Sequence, residues 1–189
     1  MARPHPSLVD IAAGRPVRPV LNGAEFVESA MEHRMAGLAL WSANRGEFDL
    51  DAASKQQLAG LKLRATLQSN RLAATAAGAI EKLRGIGIGA AVFKGIATET
   101  RFYPEPGTRP AADVDLFIDP ASHHRLNEII DLFQPAHALS GAAQRLHDVG
   151  RLQGFDILYK DIWVDMHTDP IKVGVPIPGL EEYRSQHQG

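Results

Sequence analysis

The segment Asp113-Val114-Asp115-Leu116-Phe117-Ile118-Asp119 constrains the fold more than any other stretch of the chain. Val114, Leu116 and Ile118 alternate with Asp113, Asp115 and Phe117, and side chains two apart on an extended strand project to the same side. The period predicts a strand with one face in a core and two carboxylates, about 7 Å apart, on the other. Such a pair repels itself and is costly to desolvate, and a divalent cation with oxygen ligands relieves both problems. Read alone, an Asp-x-Asp is also what an ordinary solvent-facing strand carries. Here the apolar alternation fixes the two carboxylates on a rigid element.

The flanking residues divide the chain. Asp119-Pro120 supplies an N-cap and a first-turn proline for a helix expected through about Phe133, with Leu126, Ile129, Ile130 and Phe133 inward. Upstream, Gly87 to Gly95 is a short apolar run bracketed by glycines, which predicts a buried strand. Before it, residues from about Ala52 to Leu83 carry Leu58, Leu61, Leu67, Leu72, Ala76, Ile80 and Leu83 at helical steps, with Gly85 as the stop. A further amphipathic helix is expected from about Ala24 to Trp41, closed by Asn44-Arg45-Gly46. Pro4, Pro6, Pro16 and Pro19 make the first twenty residues read as an extended or partly ordered arm. Near the other end, Gly154 to Lys160 and Ile162 to Asp169 read as two strands joined by a tight Lys160-Asp161 turn, followed from Ile171 by an irregular tail.

This order gives an α+β chain: N-terminal helices packed on a small mixed sheet. The expected division is a flexible arm over 1–22, a helical region over 23–85, an α+β core over 86–170 and an irregular tail over 171–189.

Composition removes whole classes of function. The 189 residues carry 20 Lys plus Arg against 22 Asp plus Glu, so no general electrostatic attraction to nucleic acid or anionic lipid is present. With no cysteine, disulfide scaffolds, cysteine-ligated zinc and thiol nucleophiles are excluded. No stretch approaches the roughly 20 apolar residues of a membrane span, and the prolines and arginines at the start are unlike a secretory leader, so a cytoplasmic protein is expected. No serine nucleophile elbow, Walker loop or dinucleotide fingerprint occurs.

The remaining candidates gather on the strands. In Ile162-Trp163-Val164-Asp165-Met166-His167, Val164 and Met166 alternate with Asp165 and His167, so Asp165 becomes a third carboxylate if this strand lies beside the Asp-x-Asp strand. Three carboxylates on adjacent strands can hold two magnesium ions for an in-line displacement at phosphorus. Alone, Asp165 is an ordinary solvent-facing residue. Lys94-Gly95 leaves the first strand at the head of a segment, Ile96 to Phe102, that can continue as a helix. Backbone N–H groups at such a turn bind phosphate, and Lys94 adds charge; otherwise Gly95 is only a turn. Arg101 and Arg109 flank the proline-rich loop before the Asp-x-Asp strand, and either fork could grip phosphates or make a structural ion pair. Asp165, His167 and Asp169 could instead ligate zinc or iron, but apart from His123-His124 no second histidine has a matching spacing. His167 fits better as a residue that orients a carboxylate or contacts substrate. His123, His124, His137 and His147 read as surface or boundary residues.

Taken together, Lys94, Gly95, Tyr103, Pro104, Arg109, Pro110, Asp113, Asp115, Asp165 and His167 make the stretch from about Ala24 to Asp169 resemble the uncharacterised nucleotidyltransferase family of the polymerase-beta-like superfamily. The resemblance implies that Asp113 and Asp115 hold metals, that Asp165 completes the metal site and helps deprotonate an acceptor hydroxyl, and that Lys94-Gly95 cradles phosphates. It implies transfer of a nucleoside monophosphate from an NTP, with Mg2+ or Mn2+ as cofactor and an unidentified small-molecule, peptide or protein acceptor. Where the superfamily commonly has Gly-Ser after the first strand, this chain has Lys94-Gly95, so no serine hydroxyl reaches the phosphates. Family members often continue into further helices after the Asp-x-His strand; about twenty residues follow Asp169 here, which leaves room for a homodimer or a partner subunit. Two alternatives stay open at this point: a non-catalytic nucleotide-binding or interaction module of the same fold, and a metal-dependent hydrolase built on Asp165, His167 and Asp169.

Overall fold

A computed structural model describes residues 3–133 and 154–168. Asp169, His137, His147 and the tail from Ile171 lie outside the described residues, as does the side chain of His123.

The N-terminal prolines do not prevent helix formation. Pro6 opens α1 (Pro6–Ala12), where its missing N–H leaves no bond unmade. The His5 imidazole accepts the Ser7 amide at 3.2 Å as cap. Leu8 is fully buried, and Asp10 is held by the guanidinium groups of Arg18 at 2.6 Å and Arg15 at 3.2 Å. The stretch expected as an arm is therefore docked, because a helical apolar pair and a buried carboxylate are interleaved with its prolines.

The single helix expected over residues 24–41 is two, α2 (Gly23–Glu32) and α3 (Ala36–Asn44). Arg34 between them adopts a φ of 56°, and the Arg34 and Met35 amides fold back onto the carbonyls of Met31 and Ala30. The break re-aims α3 so that Gly37 packs on the backbone of Gly107 and Thr108. A Cβ at Gly37 would lie 2.0 Å from the Gly107 carbonyl oxygen, an approach only glycine permits.

α4 (Ala52–Gly85) is the long helix that the apolar stripe predicts. It starts on Asp51, whose carboxylate accepts the Ser54 amide at 2.8 Å and the Ser54 hydroxyl at 2.7 Å, and it ends before Gly87 at a φ of 75°. Its first half contributes Leu58 to a helical core with Leu8, Phe26, Ala30 and Leu40. Its second half contributes Leu72, Ala76, Ala79 and Leu83 to a second core beneath the sheet.

The sheet has four strands, β1 (Ala90–Val92), β2 (Val114–Ile118), β3 (Gly154–Tyr159) and β4 (Ile162–His167), in the order β1-β2-β4-β3. β2 and β4 are parallel and the other pairs antiparallel. β3 and β4 form the expected hairpin, with Lys160 and Asp161 at φ values of 52° and 59°, the left-handed pair that a two-residue turn between twisted strands requires. Between β1 and β2 runs α5 (Lys94–Phe102). After β2, Pro120–Arg125 is a 3-10 turn leading into α6 (Leu126–Phe133), so the expected helix is regular only in its second half. Val114, Leu116, Ile118, Val164 and Met166 are buried against α4 and α6, as the alternation predicts. The α+β class with a small mixed sheet is thus observed. No helix among the described residues is long and apolar enough to cross a membrane.

Candidate metal centre

Parallel pairing of β2 and β4 sets Asp115 directly opposite Asp165. Because their neighbours Val114, Leu116, Val164 and Met166 fill the core face, both carboxylates emerge on the opposite face of the sheet. His167, two residues along β4, shares that face and is almost fully buried. One ligand atom from each of Asp115, Asp165 and His167 lies within 4.8 Å of the others. Two carboxylate oxygens and one imidazole nitrogen at that spacing are a donor set that suits a divalent cation.

The contacts converge on a single atom. His167 Nε2 lies 2.8 Å from Asp165 Oδ2, 3.2 Å from Asp115 Oδ1 and 3.3 Å from Lys94 Nζ. The Lys94 ammonium also donates to Asp115 Oδ1 at 2.7 Å. Phe93 closes one side, its ring edge-on to His167 at 4.8 Å between centroids and 4.7 Å from the Lys94 ammonium. Asp115 is buried, the Asp165 side chain is 30% exposed and the Lys94 side chain 47%, so the cluster opens to solvent on the side of Lys94 and Asp165.

Lys94 and Gly95 form the first turn of α5. That turn contains no acidic residue and no side-chain cap, so its amides present the positive end of the helix beside the carboxylates. Gly95 lets it approach the segment leading into β2 closely: a Cβ there would lie 3.3 Å from the Ala111 Cβ and 3.9 Å from Asp113 Oδ1. Asp113 is exposed, just ahead of β2, and stands outside the converging trio. Arg109 donates from Nη1 to the Gly95 carbonyl at 3.4 Å, which brings its guanidinium to the same turn. Arg101 stacks instead on Phe102 at the far end of α5, 6.0 Å from the ring centre.

Two contributors to this face were not singled out in the sequence. Asp156 on β3 pairs in register with Asp165, so Asp115, Asp165 and Asp156 form one row across three strands. Its signal was the alternation of Phe155, Asp156 and Ile157, which is short and easily read as a plain hairpin. Gly154 lies opposite His167, and a Cβ there would meet the Met166 carbonyl oxygen at 2.9 Å, His167 Nδ1 at 3.5 Å and Asp165 Oδ1 at 3.6 Å. No sequence rule marks a strand-initial glycine as the space beside a ligand.

Residues 21–175 match the family described as uncharacterised nucleotidyltransferase, a span that encloses the whole stretch carrying the resemblance. No curated protein and no solved structure matches the chain.

Proposed function

The chain belongs to the uncharacterised nucleotidyltransferase family, and on that footing we propose that it transfers a nucleoside monophosphate from an NTP to a hydroxyl of an acceptor, with Mg2+ or Mn2+ as cofactor. The observation that carries this reading is the in-register pair Asp115 and Asp165 with His167 Nε2 against both, beside the uncapped first turn of α5.

Asp115, Asp165 and His167 are the residues that would hold a divalent cation, and the exposed Asp113, just ahead of β2, would serve a second. A bound cation would supply Lewis-acid stabilisation of the charge that develops on the phosphate oxygens. The α5 amides, Lys94 and Arg109 bind and orient the triphosphate on the open side of the cluster. Asp165, the more exposed of the two paired carboxylates, takes the acceptor proton. The acceptor oxygen bonds to the α-phosphorus, the bond from that phosphorus to the bridging oxygen of the β-phosphate breaks, and pyrophosphate leaves. The edge-on packing of Phe93 on His167 fixes the imidazole so that Nε2 faces the cation position.

Calorimetric titration of a non-hydrolysable NTP set into the wild-type chain and Asp115→Asn, with and without Mn2+, tests the reading. Binding that needs both the metal and Asp115 supports it, and labelled NTP then identifies the acceptor. Binding that ignores Asp115 overturns the site assignment, and binding without turnover on any acceptor favours a non-catalytic nucleotide-binding module.

A further inference from the structure

The contacts at His167 Nε2 cannot all be satisfied. A ring nitrogen carries either one proton or one lone pair. With a proton it can donate to Asp165 Oδ2 at 2.8 Å and Asp115 Oδ1 at 3.2 Å, but then an N–H faces the Lys94 ammonium at 3.3 Å, and an ammonium has no lone pair to offer. With a lone pair it accepts from Lys94, but then it confronts a carboxylate oxygen at 2.8 Å. At least one polar contact stays unmet in either state: the Lys94 ammonium when Nε2 is protonated, and both carboxylate oxygens when it is not.

The conflict resolves if a cation replaces the ammonium. A lone pair on Nε2 and the two carboxylate oxygens then point at one positive centre. The Lys94 ammonium already supplies positive charge to Asp115, but it makes one short bond there and carries a single charge. Lys94 also holds a left-handed backbone at a φ of 53°, which disfavours a residue with a Cβ and is the kind of local strain found at functional sites. Nearly half its side chain is exposed, so a path outward is open.

We propose that Lys94 is a displaceable counter-ion: its ammonium balances Asp115 until a metal-bound nucleotide arrives, and then passes to the phosphates. This rests on the nucleotidyltransferase reading for the identity of the incoming ligand, but not for the counter-ion role itself. A bare divalent cation must evict the ammonium from a buried carboxylate and leave it in water. A metal–NTP complex evicts it and offers it phosphate oxygens at the first turn of α5, where the Lys94 backbone already sits. The chain therefore discriminates against free metal and binds metal and nucleotide synergistically.

The test measures Mn2+ binding to the full chain by electron paramagnetic resonance and calorimetry, with and without a methylene analogue of ATP, in wild type, Lys94→Met and Lys94→Gly. Glycine accepts the positive φ, so the second variant keeps the test available if methionine impairs folding. The expected result is Mn2+ binding at least 10-fold tighter in both variants than in wild type without nucleotide. The analogue should tighten Mn2+ binding in wild type and do so at least 10-fold less in the variants. Unchanged or weaker binding of Mn2+ alone in both variants overturns the proposal, as does the absence of Mn2+ binding in all three proteins. Tighter Mn2+ binding in the variants with no response to the analogue in wild type keeps the counter-ion and removes the nucleotidyltransferase reading.

Discussion

Asp115 and Asp165 stand opposite one another on parallel strands, and the same histidine nitrogen lies against both. Parallel pairing brings them together although fifty residues separate them in sequence, and burial of Asp115 makes its negative charge costly without a positive partner.

Asp115→Asn and Asp165→Asn are expected to lose about 100-fold or more in Mn2+ affinity by calorimetry, since each removes one of three converging donors. The metal-free melting temperature of Asp115→Asn should match or exceed that of wild type, because the substitution removes repulsion between the paired carboxylates while Lys94 can turn to solvent. A site that serves only stability would show the reverse, a lower melting temperature with metal affinity unchanged.

The imidazole in the donor set sets a metal preference. Mn2+ accepts nitrogen more readily than Mg2+, which favours oxygen and keeps its waters, so wild type should bind Mn2+ at least about 10-fold more tightly than Mg2+. His167→Asp should narrow that ratio, measured by competition between the two ions.

Gly154→Ala places a methyl group 2.9 Å from the Met166 carbonyl oxygen, a backbone atom that cannot turn aside. The hairpin must shift, at a cost of about 1–3 kcal/mol, and the melting temperature should fall by about 2–10 °C. The same shift displaces His167 and Asp165, so Mn2+ binding should weaken as well. A fall in stability with metal affinity intact would show that the glycine serves the hairpin alone.

Acid should loosen the helical part of the chain through Asp10 and Asp51. The Arg18 side-chain hydrogen bond holds the Asp10 carboxyl below the ordinary carboxylate range, and the Ser54 hydroxyl does the same for Asp51. A carboxyl whose folded value lies below its unfolded one stabilises the fold fully above the unfolded value, about 3.9, and loses that contribution as pH falls through the folded value. Urea unfolding followed from pH 6 to pH 3 should therefore steepen toward acid in wild type and flatten in Asp10→Asn. Asp51→Ala should lower the melting temperature at neutral pH by about 2–4 °C through loss of the helix cap.

Much of this arrangement is legible in the residues. The alternation at 113–119 specifies β2, the apolar stripe from Leu58 to Leu83 specifies α4, and the spacing of Asp165 and His167 puts both on one face of β4. What is not legible is non-local or small. Nothing in the sequence states that β4 pairs with β2 rather than with β1, so the meeting of Asp115 and Asp165 was conditional on a neighbour relation that only tertiary packing decides. The break at Arg34 escapes a helical periodicity because no proline marks it; it accompanies the docking of Gly37 on Gly107, a non-local contact. α1 escapes because its prolines sit where a helix tolerates them. The register that puts Asp156 beside Asp165 depends on hairpin geometry, since a slip of one residue would turn it to the core.

α4 is one continuous rod of 34 residues that belongs to both cores, with Leu58 in the first and Leu72 to Leu83 in the second. At about 1.5 Å per residue it is roughly 50 Å long, and no loop interrupts it where one core gives way to the other. A protease or a designer looking for a seam between helical layer and sheet finds none along this element. Cutting the chain near Gly85 would strip the sheet of the wall that Leu72, Ala76, Ala79 and Leu83 provide. The two layers should therefore melt as one cooperative unit, and perturbations of the helical layer should register at the carboxylates as a change in how firmly β2 is backed.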